Sequence, residues 1–208
     1  IRVAPDEKRF YVAYWRSQNV GVFKARTLKR QALIPTGDKP RGIAIAAGGR
    51  KGYVCNFGEA RQSITVFRAN RRPYPVLRTI RGLPHARHAV ASRDRCIVYV
   101  SIFGVGGGIA RIDTKRDRVV ARSRPLCGHT KTLALTPDER WVLAANYDAG
   151  TLSVLTADSF EEVARYRAGV FPLGVAVAAD GRSLWTAEES HVRAWALALP
   201  SALAQKAP

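Results

Sequence analysis

Residues 42–67, GIAIAAGGRKGYVCNFGEARQSITVF, decide how the rest of the chain reads. Ile43–Ala47 spells a strand, Gly48-Gly49 a turn, Tyr53–Asn56 a second strand and Ser63–Phe67 a third. The apolar runs are short, rich in β-branched and aromatic residues, and punctuated by Gly, which suits buried strands and not a helix. The same pattern recurs four times: IRVAPDEKRFYVAY from Ile1, VASRDRCIVYVSI from Val90, LTPDERWVLAAN from Leu135 and VAADGRSLWTAE from Val177. Aligning Val3, Ile45, Val90, Leu135 and Val177 gives spacings of 42, 45, 45 and 42 residues. A period in the low forties with short strands and turns inside each copy is the mark of a β-propeller. The expected fold is all-β, with about five four-stranded antiparallel blades that either close a small ring or form part of a six- to eight-bladed one.

The blades fall at about residues 1–37, 38–82, 83–128, 129–169 and 170–200, with a tail over 201–208. In the fifth, Val175–Ala179, Ser183–Ala187 and His191–Leu197 read as strands, while the tail SALAQKAP is too small and polar for a fourth. Ile1 stands where an inner strand begins, so the first and fifth blades are expected to expose a face and an edge. The chain is therefore expected not to close alone into a five-bladed disc but to sit beside further blades or subunits, or to self-associate.

Composition adds less. A chain that opens on Ile1 and holds no Met reads as a processed or trimmed piece, so a missing leader says nothing of compartment. No apolar run approaches the roughly 18 residues of a membrane-spanning helix. Cys55, Cys96 and Cys127 are odd in number and lack a CxxC spacing, which reads as small core residues. Gly104-Val105-Gly106-Gly107-Gly108 has no following Lys-Ser/Thr and reads as a hairpin loop, not a phosphate cradle. The charge is the unusual quantity: 34 Lys and Arg against 16 Asp and Glu, a net +18. Such a field favours polyanions, although the same count also fits an Arg-rich solvated surface, since no long basic run exists.

Antiparallel connectivity puts the lead-in loops on one face with the loops from second to third strands. The aligned lead-in positions are Pro40, His85, Thr130 and Pro172, followed by Arg41, Ala86, Lys131 and Leu173, then Gly42, Arg87, Thr132 and Gly174. The second-to-third loops begin at Trp15, Phe57, Phe103, Tyr147 and Glu189. The expected partner-binding face is therefore Trp15, Arg41, Phe57, His85, Arg87, Phe103, His129, Lys131, Tyr147 and Glu189. Aromatics interleaved with cations suit single-stranded nucleic acid, an acidic peptide or a carboxylated small molecule. The recurring aromatic fits equally a packing residue that caps the seam between blades.

His85, His88 and His129 have imidazoles that could ligate zinc or haem, but no HxH or HExxH spacing exists, and they read as hydrogen-bonding or channel-lining groups. Adjacent Glu188 and Glu189 point to opposite sides of an extended segment, with Asp148 in the equivalent loop of a neighbouring blade, so no acid pair for hydrolysis is marked. No catalytic residue, metal or cofactor is assigned. The opposite face carries mixed-sign turns such as Asp6-Glu7-Lys8, Arg50-Lys51 and Lys115-Arg116.

Tyr53-Val54-Cys55-Asn56 with Ser63–Phe67, the lead-in Asp38-Lys39-Pro40-Arg41-Gly42, the turn Ala179-Asp180-Gly181, and Ala145-Asn146 followed by Thr151-Leu152-Ser153-Val154 resemble the YVTN family of bacterial and archaeal propellers. The resemblance covers nearly the whole chain and rests on turn and strand chemistry. It implies an exported protein, in the periplasm or at the cell surface, that serves as a non-enzymatic binding or scaffold module for a protein partner. Relatives of this kind also include lactonase-like and haem-carrying enzymes and a DNA-binding type. A polyanion-binding propeller and a lactonase-like or haem propeller are thus the alternatives.

Overall fold

In the computed structural model, the described residues are 1–58, 62–93, 96–181, 183–189 and 195–198. They form nineteen strands in five antiparallel sheets, four of four strands and one of three, each in simple up-and-down order. These sheets are β-propeller blades. Blade one is β1 Arg2–Val3, β2 Arg9–Tyr14, β3 Asn19–Lys24 and β4 Arg30–Pro35; blade two is β5 Pro40–Ala46, β6 Lys51–Asn56, β7 Ser63–Arg68 and β8 Val76–Arg81. Blade three is β9 Ala86–Ala91, β10 Ile97–Ile102, β11 Ile109–Asp113 and β12 Arg118–Arg122; blade four is β13 Thr130–Leu135, β14 Trp141–Asn146, β15 Thr151–Thr156 and β16 Glu162–Arg167. Blade five holds β17 Pro172–Val177, β18 Ser183–Glu188 and β19 Trp195–Ala198. Most of the expected third strand before Trp195, and the whole tail, lie outside the described residues.

Burial follows strand position. The middle strands β6, β7, β10 and β14 are buried on both faces, which is why their sequences are continuously apolar rather than alternating. The outer strands β8, β12 and β16 are largely exposed and carry Arg78, Arg81, Arg118, Arg122, Arg165 and Arg167. Charged outer strands discourage edge-to-edge pairing, so part of the +18 is a solvated rim. Cys55 is buried as expected, but Cys96 is half-buried and Cys127 exposed, because both sit in connections outside the strands.

The chain divides into two compact units, Ile1–Ile102 with Ala110–Ala121, and Phe103–Ile109 with Arg122–Pro208. In the first unit, the core lies between blades. Tyr11, Val20 and Val22 meet Ile43, Ile45, Val54 and Phe67, and Tyr53, Ile64 and Val66 meet Ala86, Ala89, Val98 and Ile112. Two tyrosines at the same repeat position tie each blade to the next. Tyr11 Oη donates to Ala69 O at 2.6 Å, and Tyr53 Oη donates to Asp117, which also pairs with Lys51 Nζ at 2.7 Å. Burying such a ring removes it from water at a gain of about 1.5–3 kcal/mol, and the bonded hydroxyl avoids an orphaned polar group. Tyr53 consequently holds its proton far more tightly than a solvated phenol, through burial first and then its bond to Asp117. In the second unit, Leu143, Ala145, Leu152 and Val154 pack with Leu184, flanked by Val175 and Val177.

The ladder corrects one alignment. Val3, Ile45, Leu135 and Val177 pair with Phe10, Gly52, Val142 and Leu184, whereas the partner of Val98 at that position is Ala91 and not Val90. Hydropathy alone favours Val90, the bulkier of the two apolar neighbours, whereas the ladder places it opposite Tyr99. With the true register, Ala86, paired with Ile102, is equivalent to Pro40, Thr130 and Pro172, which pair with Asn56, Asn146 and Glu188. The position after it is then Arg41, Arg87, Lys131 and Leu173. Arg87 therefore aligns with Arg41 and Lys131, and Ala86 does not.

Candidate functional site

Every lead-in strand from the second blade on is bulged at that corrected position. The register breaks between Pro40 and Ile43, between Ala86 and Ala89, between Thr130 and Thr132, and between Pro172 and Gly174. A bulge leaves a residue out of the ladder and re-aims its side chain. Lys39, His85 and Phe171, each just before the strand, take positive φ of 49°, 47° and 52°. Three consecutive blades thus present a cation where the backbone steps out of the sheet.

The loop that faces each bulge begins with the recurring aromatic, and its position is locked from below. Asn56, fully buried, accepts from Gly37 N at 3.1 Å and donates to Ser63 Oγ at 2.9 Å and Thr65 Oγ1 at 3.0 Å. Asn146 repeats this, donating to Ser153 Oγ at 2.8 Å and Thr151 Oγ1 at 3.2 Å. In blade five Glu188 stands at that position and accepts from Val170 N at 3.2 Å. The Asn of the strand motif is therefore a structural lock, set immediately before the rim residue.

In the first unit, the structure brings Trp15, Arg41, Phe57, His85 and Arg87 together. The Arg41 guanidinium lies 3.9 Å from the Trp15 ring centroid and 4.6 Å from that of Phe57, with Arg87 5.6 Å from Phe57 and Lys39 Nζ 5.9 Å from Trp15. Trp15 and Phe57 themselves meet at 5.7 Å, and His85 packs on Phe57 at 5.4 Å with its Nδ1 against Phe57 O. The rings are therefore packing residues and cation platforms at once. Arg41 Nε is buried without a hydrogen-bond partner among the described residues. Burial, then the neighbouring charge of Arg87, lowers the Arg41 pKa to about 10. Nearby, Gly42 leaves room for β9: a Cβ there would stand 2.7 Å from Arg87 O and His88 Cα. His88 faces inward, and burial first, then Arg2 and Arg87, push its pKa down to about 4.

In the second unit, Phe103, His129, Lys131, Tyr147 and Glu189 meet in a different balance. His129 stacks on Phe103 at 4.5 Å and its Nδ1 bonds the Asp148 carboxylate. Lys131 Nζ stands 3.7 Å from the Tyr147 ring centroid, Phe171 stacks on that ring at 4.8 Å, and Tyr147 Oη donates to Glu189. Glu188 and Glu189 have different partners, Glu188 accepting from Val170 N and Glu189 from Tyr147 Oη. This cluster carries its own acids. Phe171, which the sequence places beside His129 on this face, joins the cluster, as does Asp148, and Lys39 joins that of the first unit: Lys39 and Phe171 occupy the repeat position of His85 and His129, and Asp148 follows Tyr147. Among the described residues no group of three or more His, Cys, Asp or Glu could hold a metal ion.

No family model matches the chain, and no curated protein does. Solved structures resemble it. A structure described as Kuenenia stuttgartiensis hydrazine synthase superposes with a TM-score of 0.82 at 20% identity, over 88% of this chain and 53% of that one. A functionally unknown protein from Desulfotomaculum acetoxidans DSM 771 superposes with a TM-score of 0.77 at 15% identity, over 87% of this chain and 58% of that one. The chain spans little more than half the length of either, and at these identities the likeness is one of fold.

Proposed function

We propose that this chain is a non-enzymatic binding module of the YVTN type, exported to the periplasm or cell surface, whose cation–aromatic rim takes an acidic segment of a protein partner. One observation carries the reading. The Arg41 guanidinium stands against both the Trp15 and the Phe57 ring, and its buried Nε has no hydrogen-bond partner among the described residues. A guanidinium laid on aromatic rings is pre-organised and partly desolvated, so an arriving carboxylate gains more from it than from a free surface arginine. The same stacking disfavours the single-stranded nucleic acid alternative, because the ring faces that bases would stack on already carry guanidinium groups.

The test is fluorescence anisotropy of a labelled oligo-glutamate peptide and of a labelled thymidine oligonucleotide of equal charge, measured across a salt series. The peptide should bind with a salt-dependent affinity that Arg41→Gln lowers about tenfold, the loss of one charge-assisted hydrogen bond. The reading fails if the oligonucleotide binds more tightly and Trp15→Ala or Phe57→Ala removes roughly 1–3 kcal/mol from that complex, as lost base stacking would.

A further inference from the structure

A cavity of about 270 Å³ lies on blade two and shares no lining residue with the rim cluster. Strand parity explains it. Ser63, Thr65 and Phe67 alternate along β7 and so share a face, and Phe67 meets Tyr11, Val20 and Val22, so that face looks toward blade one. The ladder sets Arg81 opposite Ser63, Thr79 opposite Thr65 and Val76 opposite Phe67, which puts these three on the same face. Pro35 and Gly37, in the connection from blade one, help to complete the lining, and no lining residue is acidic. Thr65, 3% exposed, accepts from Gly37 N and from Asn56 Nδ2, and its own O–H has no acceptor among the described residues. The Arg81 side chain makes no hydrogen bond or ion pair among them either. The cavity therefore holds donors that nothing in the described chain accepts from.

Blade four shows what such a row takes. Asn146 bonds Thr151 and Ser153 as Asn56 bonds Ser63 and Thr65, and the ladder puts Arg167, Arg165 and Glu162 where blade two has Arg81, Thr79 and Val76. There the Glu162 carboxylate accepts from two Arg165 nitrogens at 2.7 Å each and from Ser153, and these bonds, Arg165 first, hold its pKa below the usual range. An outer-strand guanidinium and the hydroxyl bonded to the motif's Asn thus share one internal carboxylate. Blade two keeps the hydroxyl and a guanidinium but has Val76 in place of the acid.

We infer that this cavity binds a small hydroxycarboxylic acid from solution, its carboxylate on Arg81 and the Thr65 O–H, its hydroxyl toward Thr79 and its carbon chain against Val76 and Pro35. One guanidinium carries one charge and a planar pair of donors, which matches a carboxylate. The volume lies just under the roughly 300–1,000 Å³ of small-molecule sites, which limits the ligand to few carbons yet leaves more room than a bare inorganic anion fills. The inference does not rest on the rim reading.

The experiment is a chemical-shift titration of the isotope-labelled whole chain with β-hydroxybutyrate, its neutral amide, acetate and inorganic phosphate, read at the Gly37 and Thr65 amides and at Arg81 Nε. β-Hydroxybutyrate should give saturable shifts at all three positions. The amide should give none, and acetate and phosphate should bind about fivefold more weakly or worse, for want of the hydroxyl contact and the carbon chain. Arg81→Gln should weaken β-hydroxybutyrate about tenfold or more, the loss of a charge-assisted contact. Arg78→Gln removes the same charge from the opposite face of β8, where Arg78 pairs with Val66, and should leave binding within about twofold, as should Arg41→Gln at the rim. Binding that survives Arg81→Gln, or that falls equally in Arg78→Gln, overturns the inference. So does acetate or phosphate binding as tightly as β-hydroxybutyrate, which would make the cavity a site for any small anion. Shifts lost in Arg41→Gln and kept in Arg81→Gln would move the ligand to the rim, and the inference would fall while the rim reading stood.

Discussion

Replacing Asn56 by Ala should cost more than any surface change of similar size. The side chain is fully buried and makes three bonds: one accepted from Gly37 N and two donated, to Ser63 Oγ and Thr65 Oγ1. Truncation leaves Gly37 N with a longer bond to Thr65 Oγ1 at 3.3 Å, so one donor is partly kept. The two buried hydroxyls each lose the bond from the Asn56 amide in a place water does not reach. At about 1–3 kcal/mol for a buried group left short of a partner, the expected loss is about 2–4 kcal/mol. Equilibrium urea unfolding followed by far-ultraviolet circular dichroism reads this as a fall in midpoint of about 1 M, for a slope of roughly 2–3 kcal/mol per M. Asn146→Ala, which breaks the corresponding bonds to Ser153 and Thr151 in the second unit, should lose a comparable amount. A midpoint lowered by less than about 0.3 M in both variants, with the slope unchanged, would show that the motif's Asn is not the lock inferred for it.

Two further outcomes can be checked by the same unfolding measurements. Gly42→Ala should destabilise by about 1–3 kcal/mol, because the added methyl meets backbone atoms of β9 at 2.7 Å and backbone cannot swing aside; wild-type stability would refute that close approach. His88 should make folding pH-dependent. It is neutral in the folded chain, with a pKa near 4, while the unfolded chain binds its proton at about 6.5, so stability is full above that value and falls as pH drops toward 4. The loss is at most about 3 kcal/mol, and His88→Gln should flatten the curve over that window. An unchanged curve in the variant would assign the pH dependence to other groups.

The sequence alone determined the repeat, the strand pattern and the residue types of the site. Short apolar runs separated by Gly and Pro-Asp turns are local signals, and each blade writes them within about forty residues, so periodicity exposes them. Tyr53–Asn56 and Ser63–Phe67 were legible as neighbouring strands for that reason, and the aromatic after the second strand was legible as a repeated position. What the tertiary structure decided was register. The slip at Val90 and Ala91 moves Arg87 into line with Arg41 and Lys131, and no hydropathy pattern contains it, since both residues are apolar. The bulges that turn those cations out of the sheet exist only as mismatches between two strands, a property of the hydrogen-bond ladder and not of either strand's sequence. Nor could sequence separate the two clusters. Whether a lead-in side chain meets a carboxylate, as His129 meets Asp148, or lies on a ring, as Arg41 lies on Trp15, depends on which loops come within a few ångströms, and side-chain electrostatics are settled at that distance.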